Sequence, residues 1–509
     1  MSWKNARLGT VLFSIAVLIA FVLISFAYIS PTARTYDEVD FALALHRYDL
    51  LAMQPHFPGY PYFILGGMVI HNWVADPIQA LSIFNTLLAL SSIIPMLLIV
   101  RRYTNTHLGL LFTTIALTSP SLWLMSTQAM SEGAAIAVLW WYLWSVRRTF
   151  ERSSSNSWQM LPLFLFGILM GIRVSFFPFG LAIVWLWVTQ FKSSEQERFV
   201  KWRSLLLKML FAVCCQLLWV GGLAWSEGGP IGFLRLSYAF VKGHFTDWGG
   251  GVGASTMPLG ERLFHFFVDN LIWSSGLGHS IGIGIVFALW MAVVIWGLRL
   301  CPPSNLGVLV ARYPYVFWLL SCVLLYTLWA LFGQNIQKPR HITPIMGLLL
   351  MFIYIVAIRV AFSLRNARRL VLSTLIYILM VALILTQLIY GAHILKRQAN
   401  EVPSIYQLHS DLASIEEPFI LYTWEEARLL QYIQADYVYK EILTYTYFLS
   451  EVKSNSERRV LLTDHVLRGF EQQAGSLRNH VKEVGRYQSD SLYDPVYHDI
   501  IVYEWQRSL

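Results

Sequence analysis

Thr35-Tyr36-Asp37-Glu38-Val39-Asp40-Phe41 follows directly on an apolar run, Leu8 to Ser30, that is long enough to cross a bilayer. Three carboxylates beside hydrocarbon are costly unless water, a partner or a substrate compensates them. The chain continues through His46, Arg47 and Asp49 into Gln54-Pro-His-Phe-Pro-Gly-Tyr-Pro61. Acid, base and rigid turns at a membrane face read as a reaction site rather than a connector.

Working outward, the composition sets the class. Of 509 residues, 56% are hydrophobic and 13% charged, against about 25% charged in an ordinary soluble domain. Apolar runs of about twenty residues recur, so the chain reads as a polytopic α-helical membrane protein. The formal charge of +8 does not indicate nucleic acid. Its cations sit in short clusters between apolar runs, as orientation signals do, rather than forming one basic footprint.

Those clusters are Lys4/Arg7, Arg101/Arg102, Arg147/Arg148/Arg152, Lys192/Arg198/Lys201/Arg203, Arg299/Arg312 and Arg359/Arg365/Arg368/Arg369. Placing all six in the cytoplasm predicts eleven crossings at 9–30, 77–99, 108–125, 130–146, 158–171, 173–190, 204–225, 271–298, 314–332, 342–358 and 370–391. Seventeen basic residues then lie inside against eight outside, the expected bias. Residues 158–190 fit two short spans with Arg173 at a tight turn, or one long bent helix. Residues 61–75 would reach only ~22 Å as a helix, short of a hydrocarbon core of ~30 Å, and are predicted to lie at the outer interface. The N-terminal run resembles an uncleaved signal anchor. Cys214, Cys215, Cys301 and Cys322 all fall in spans or cytoplasmic loops, so no disulfide framework is expected outside.

Residues 1–391 are therefore predicted to form the membrane domain and 392–509 an extracytoplasmic α/β domain. In the latter, strands are expected at 419–424, 437–441, 459–463 and 500–503. Helices are expected over 425–433, 444–452 and 465–473. No phosphate loop or catalytic constellation is apparent there, and a structural or acceptor-docking role is expected. The loop 226–270 contains a predicted interfacial helix over Ile231–His244. Its Gly249-Gly-Gly-Val-Gly253 lacks the Lys-Ser/Thr of a P-loop, and the segment is read as a mobile gate over the cavity.

The first span, the loop opening Tyr36-Asp37-Glu38, the amphipathic stretch Val39 to Tyr48, the Pro-rich turn and the interfacial helix together resemble the GT-C superfamily of membrane glycosyltransferases. The likeness is to protein mannosyltransferases, aminoarabinose transferases and related enzymes using polyprenyl-phosphate sugars. It covers roughly residues 1–390. The resemblance implies a donor of that kind, a glycan, lipid or protein acceptor, and contact with membrane lipids.

In that family the first outer loop carries the catalytic acid, and Asp37 matches it, with Glu38 as an orienting neighbour. A carboxylate suits the step, because an acceptor hydroxyl must lose its proton as the glycosidic bond forms. A sugar phosphate already carries its leaving group, so one base suffices for inverting displacement, and the carboxylate pair of hydrolases is not required. The same acids also suit the first turn of a helix. Glu132, in Gln128-Ala-Met-Ser-Glu-Gly133, stands where the family commonly has Asp. It is read either as a substrate-binding acid or as a first-turn residue behind a capping Ser131. Two carboxylates from separate loops leave a divalent cation open without defining a metal site.

Gln334-Asn-Ile-Gln-Lys-Pro-Arg-His341 resembles the family's late outer loop, in which an Arg precedes the penultimate helices. Arg340 offers a bidentate donor for phosphate and Lys338 a mobile charge. A snorkelling anchor is the alternative. His341 departs from the usual Arg-Tyr pattern. Arg173 and His56 complete the candidate substrate-binding set. A transporter or lipid-linked-sugar flippase is the competing class, as is a non-catalytic assembly protein; the acids cluster at one face rather than mid-membrane, and no internal repeat is evident. A bacterial cytoplasmic membrane is the expected location, in the absence of a retention signal.

Overall fold

A computed structural model describes residues 3–151, 156–193, 197–248, 250–253, 255, 257–302, 314–424, 426–455 and 457–506. Arg152, Gly249, Arg312 and Glu425, each used in the sequence reading, lie outside the described residues.

Helical segments fall on all eleven predicted stretches. Among the described residues, eight helices are long and apolar enough to cross a membrane, and nine if one bent pair is a single span. The protein is an integral, multi-pass membrane protein. Helix Ser131–Glu151 carries Glu132, Arg147, Arg148 and Glu151, and Trp158–Ile172 is short, so neither has the composition and length of a simple span.

Several helix starts are written locally. Asp76 Oδ1 accepts from Gln79 N at 2.8 Å ahead of Pro77, and Asn105 Oδ1 accepts from Leu108 N at 3.2 Å. Each satisfies an N–H that a helix end leaves free. The most enclosed of the eight is Thr343–Asn366, and the most exposed is Arg198–Ser226.

Two predicted spans are broken. The stretch 108–125 is two helices, Thr106–Leu117 and Pro120–Ser126, bent by 73°. Pro120 has no N–H to continue the ladder and holds Ser119 out of the helical region (ψ 119°). The stretch 271–298 is a π-helical segment, His265–Gly276, followed by helix Ile281–Leu300. Between them Gly278 and His279 adopt φ +57° and +62°. A Cβ on Gly278 would lie 2.7 Å from Pro120, so the two breaks pack on each other.

Residues 158–190 form two segments folded back on one another. Helix Asn156–Ile172 ends at Arg173, which is extended (φ −157°), and a 3₁₀ turn, Val174–Gly180, leads into Leu181–Ser193. Gly180 returns to Phe166: a Cβ there would sit 2.8 Å from the ring. The short helix Pro61–His71 spans ~17 Å.

Helix Leu370–Asn400 runs nine residues past the predicted end at 391, and helix Ser404–Ala413 leads to a five-stranded sheet. The strands are β1 (Phe419–Thr423), β2 (Tyr439–Glu441), β3 (Arg459–Thr463), β4 (Val481–Gln488) and β5 (Asp499–Trp505), in the order β2-β1-β3-β5-β4. β1 is parallel to β2 and β3, and β5 is antiparallel to β3 and β4. Strand alternation divides the side chains. Ile420, Tyr422, Val460 and Leu462 pack with Phe448, Val466 and Phe470. Phe419, Leu421 and Leu461 join Leu408 and Leu429 in a core continuous with that of the membrane region.

β4 has no counterpart in the sequence reading. It is an edge strand with only Tyr487 buried, and Val-Lys-Glu-Val-Gly-Arg-Tyr-Gln shows no apolar alternation.

Candidate active site

Helix Tyr36–His46 is started by a complete capping box. Thr35 accepts from Glu38 N, and Glu38 Oε2 accepts from Arg34 N at 2.6 Å and Thr35 N at 3.0 Å. The Arg34 guanidinium lies over the Tyr493 ring and donates to the carbonyls of Gln398 (2.5 Å) and Glu401 (3.1 Å). The loop is thereby tied to the end of helix Leu370–Asn400. Glu38 is the N3 member of this capping box, with Thr35 the N-cap, and is buried to 1% exposure. Burial raises its pKa to about 7 against the two backbone donors.

The cap aims Asp37 into a cluster of charges drawn from four parts of the chain. Arg340 Nη2 contacts Asp37 Oδ2, and Arg340 Nε lies 3.2 Å from Glu132 Oε1. Arg173 Nη2 lies 3.0 Å from the same Glu132 oxygen, while Arg173 Nη1 donates to Ser131 Oγ at 2.8 Å. His341 Nδ1 is 3.4 Å from Arg173 Nη2, and its carbonyl accepts from Tyr326 OH at 2.9 Å. Two carboxylates and two guanidiniums thus alternate in one group. Arg173 reaches it because the chain breaks at that residue.

The electrostatics follow. Burial pushes the Asp37 carboxyl up, but Arg340, with Lys338, His56 and Arg173, outweighs it and holds the carboxyl well below its usual range. Burial and the cations Arg173, Arg340 and Lys338 keep His341 neutral, far below the ordinary imidazole value. Arg340 is pulled down by burial and raised further by Asp37 and Glu132, with a net rise.

His56 sits one layer away. Its Nδ1 is 3.0 Å from Asp40 Oδ2 and its Nε2 is 3.1 Å from Tyr60 OH. Asp40 is fully buried, and Arg428 of helix Glu426–Tyr432 donates to it at 3.1 Å and to the carbonyls of Ala52 and Met53, each at 3.0 Å. Burial raises the Asp40 carboxyl against the pull of His56 and Arg428. Tyr60 experiences the charges of Arg173, Asp37, Glu132 and Arg340, which links His56 to the cluster. Burial raises its phenol.

Tyr60 and Arg428 were not among the candidates from sequence; Asp40 was noted there as one of the three loop acids and Ser131 as a helix cap, neither with a role in the site. Tyr60 closes the Pro-rich turn, where its position alone was a signal. Arg428 lies on a C-terminal helix with no local sign of its partner 388 residues away.

A cavity of about 810 Å³, counting its open mouth, adjoins the cluster. Lys338, Arg340, Glu132, Glu38 and Tyr493 are among the residues that line it. Of the predicted loop 226–270, buried Arg262 donates to the carbonyls of Leu331 (2.6 Å), Gly250 (3.1 Å) and Gln334 (2.8 Å), bracing the segment that leads to Arg340. Among the described residues, no three His, Cys, Asp or Glu side chains group as metal ligands. Asp37 and Glu132 fit a shared cation poorly as they stand, because Arg340 already bridges them.

This arrangement is that of a GT-C-like fold: a multi-helix membrane bundle with a loop helix after its first span and a small C-terminal α/β unit. ArnT from Cupriavidus metallidurans, bound to undecaprenyl phosphate, superposes with a TM-score of 0.56 over 97% of this chain and 98% of that one, at 11% identity. ArnT in the apo state gives 0.53 at 12% identity, over 98% of each chain. The likeness is one of fold. No family model matches the sequence, and no curated protein matches it.

Proposed function

We propose that this protein is a glycosyltransferase that moves a sugar from a polyprenyl-phosphate-linked donor to an acceptor at the extracytoplasmic membrane face, by inverting direct displacement. The observation that carries the reading is the meeting of Asp37 with Arg340, 303 residues apart, at the edge of a cavity, with Arg173 and Glu132 completing the cluster. The fold shared with an ArnT bound to undecaprenyl phosphate supports a lipid-phosphate donor.

Arg340, with Lys338 beside it, receives the donor phosphate, for which a planar guanidinium is suited. Asp37 takes the acceptor hydroxyl proton while the acceptor oxygen bonds to the anomeric carbon. The carbon–oxygen bond to phosphate breaks, and its electron pair leaves on the phosphate oxygen, where the cations stabilise it. Attack opposite the leaving group inverts the centre.

In the resting site Asp37 is a weak base, because Arg340 neutralises it. A phosphate that draws Arg340 toward itself weakens that pairing and raises the basicity of Asp37. The base is thus strengthened when donor is present.

The test is purified protein with radiolabelled undecaprenyl-phosphoryl sugars, in detergent and in sealed vesicles. Transfer of label to an acceptor, or slow hydrolysis without one, is the expected result. Movement of intact lipid-linked sugar across the vesicle without bond cleavage overturns the reading in favour of a flippase.

A further inference from the structure

Each transfer leaves the site with a proton to discard. Asp37 takes that proton while the donor phosphate draws Arg340 away; when the phosphate departs, Arg340 returns to Asp37. A carboxyl pressed against a guanidinium holds its proton poorly. The group that receives the proton must lie near the charge cluster, be a better base than the resting Asp37, and open to solvent on its far side.

One line of side chains meets these needs. Tyr60 lies in the field of Arg173, Asp37, Glu132 and Arg340, and its hydroxyl is 3.1 Å from His56 Nε2. His56 Nδ1 is 3.0 Å from Asp40 Oδ2. An ionised carboxylate only accepts, so Nδ1 carries the hydrogen and Nε2 is left to accept from the Tyr60 O–H. In the order carboxylate, imidazole, hydroxyl, the imidazole takes the hydroxyl's proton and the carboxylate stabilises the imidazolium. The Phe41 ring packs on both the imidazole and the phenol, at centroid distances of 5.5 Å and 4.8 Å. Tyr60 itself is held in a left-handed backbone conformation (φ +48°), which is unfavourable for a bulky side chain and is characteristic of functional positions. The His56 side chain is 13% exposed, whereas that of Asp40 is sealed.

We propose that Tyr60, His56 and Asp40 form a proton relay that resets Asp37 after each transfer, and that Arg428 of the C-terminal unit is the positioning residue that tunes it. The relay rests on the transfer reaction proposed above. The Asp37 O–H gives its proton to the Tyr60 oxygen while the Tyr60 proton passes to His56 Nε2. Asp37 is again a carboxylate, Tyr60 remains a phenol, and the imidazolium is balanced by Asp40 until it gives the proton to water. Arg428 Nε donates to Asp40 Oδ1 at 3.1 Å, so the carboxylate's charge is shared between a guanidinium and the imidazole. His56 can then release a proton as well as take one. Without Arg428 the whole charge falls on His56, and the pair keeps its proton. The charged and titratable groups that face His56 are Asp37 and Asp40 of helix Tyr36–His46, Tyr60 of its own turn, and Arg428 through Asp40.

The experiment uses full-length protein and the variants Tyr60→Phe, Arg428→Gln and Arg428→Lys. Nitrogen NMR of histidine-labelled protein, with His56→Gln to assign the signal, reads the tautomer and proton uptake of His56 without substrate. The kcat for transfer from undecaprenyl-phosphoryl sugars is followed across pH, beside the Kd for undecaprenyl phosphate. His56 is expected to carry its hydrogen on Nδ1, and Arg428→Gln to move proton uptake to higher pH. The acid limb of the kcat profile should move up with it by about one pH unit, with Arg428→Lys between. Tyr60→Phe should lower kcat about tenfold or more and leave the Kd within about twofold. A hydrogen on Nε2, a Tyr60→Phe kcat within about twofold of wild type, or an Arg428→Gln loss equal at every pH overturns the relay; the last is what a merely structural role gives. Wild-type protein that neither binds undecaprenyl phosphate nor transfers sugar sinks the donor reading, and the relay with it, whatever the NMR signature.

Discussion

Replacing Asp37 by Asn separates a catalytic acid from a helix-starting one, because the two roles predict changes of different size and sign. As the second residue of helix Tyr36–His46, Asp37 complements the helix dipole, which contributes about 0.3–1 kcal/mol at such a position. Its pairing with Arg340 is shielded rather than sealed, the side chains being 22% and 12% exposed. Asn keeps a hydrogen-bond acceptor, and Arg340 retains Glu132. The stability loss should therefore be about 1–2 kcal/mol, near the centre of the range for single substitutions.

The catalytic loss is larger. Removing a general base lowers kcat about 10²–10⁴-fold, or roughly 3–5.5 kcal/mol of barrier. Donor affinity should move the other way. With its anionic competitor gone, Arg340 is freer to take phosphate, and the Kd for undecaprenyl phosphate should stay level or fall by up to about tenfold. Initial rates of label transfer, thermal unfolding in detergent and equilibrium binding supply the three numbers. A folded Asp37→Asn protein with kcat within about threefold of wild type, or with much weaker phosphate binding, refutes the base assignment.

Arg340→Gln should weaken undecaprenyl phosphate binding by about 10- to 150-fold, the loss of a charge-assisted hydrogen bond, with Arg340→Lys intermediate; isothermal titration in detergent measures it. Arg428→Ala removes one of the two partners of fully buried Asp40 and frees the carbonyls of Ala52 and Met53. Breaking a buried pair costs about 3–5 kcal/mol, and the retained His56 places this case at about 3, visible as a lower Tm and as faster amide exchange over 49–56. Glu38 gives a pH test. Its pKa is raised from 4.5 to about 7, so the native state holds a proton that the unfolded chain releases above 4.5. Its favourable contribution is complete below 4.5 and disappears as pH rises through 7, a swing of roughly 3 kcal/mol. Glu38→Gln keeps the capping acceptor, so its Tm should match wild type at pH 5 and exceed it at pH 8.

The parts of this protein that were legible in its sequence are those governed by neighbours along the chain. Leu8 to Ser30 crosses a bilayer by its own hydrophobicity, and Thr35 with Glu38 writes a helix start within four residues. β1 and β3 were found because their residues are nearly all buried. β4 was missed because an exposed edge strand needs no apolar pattern. The breaks at Pro120 and at Gly278–His279 lie inside runs apolar enough to pass for single spans, and only their mutual packing explains why the chain turns there. Glu38 was expected to orient substrate, and its carboxylate is occupied by the backbone of Arg34 and Thr35. Asp37, Glu132, Arg173 and Arg340 were each singled out, but nothing local told that they form one cluster. Tyr60 enters through His56 in the same turn, whereas Arg428 enters only through contacts with distant groups.

Hydropathy and capping are sums over adjacent residues, so the order of residues alone established a many-helix membrane chain with acids at the mouth of its first span. Convergence is different in kind. A charge held by another 303 positions away depends on how every intervening helix packs, and on where a proline or an extended arginine lets the chain turn. Folding brought Arg340 to Asp37, seated the C-terminal unit over the loop through Arg428, and enclosed the cavity beside them, because long-range burial and charge pairing act through space rather than along the backbone.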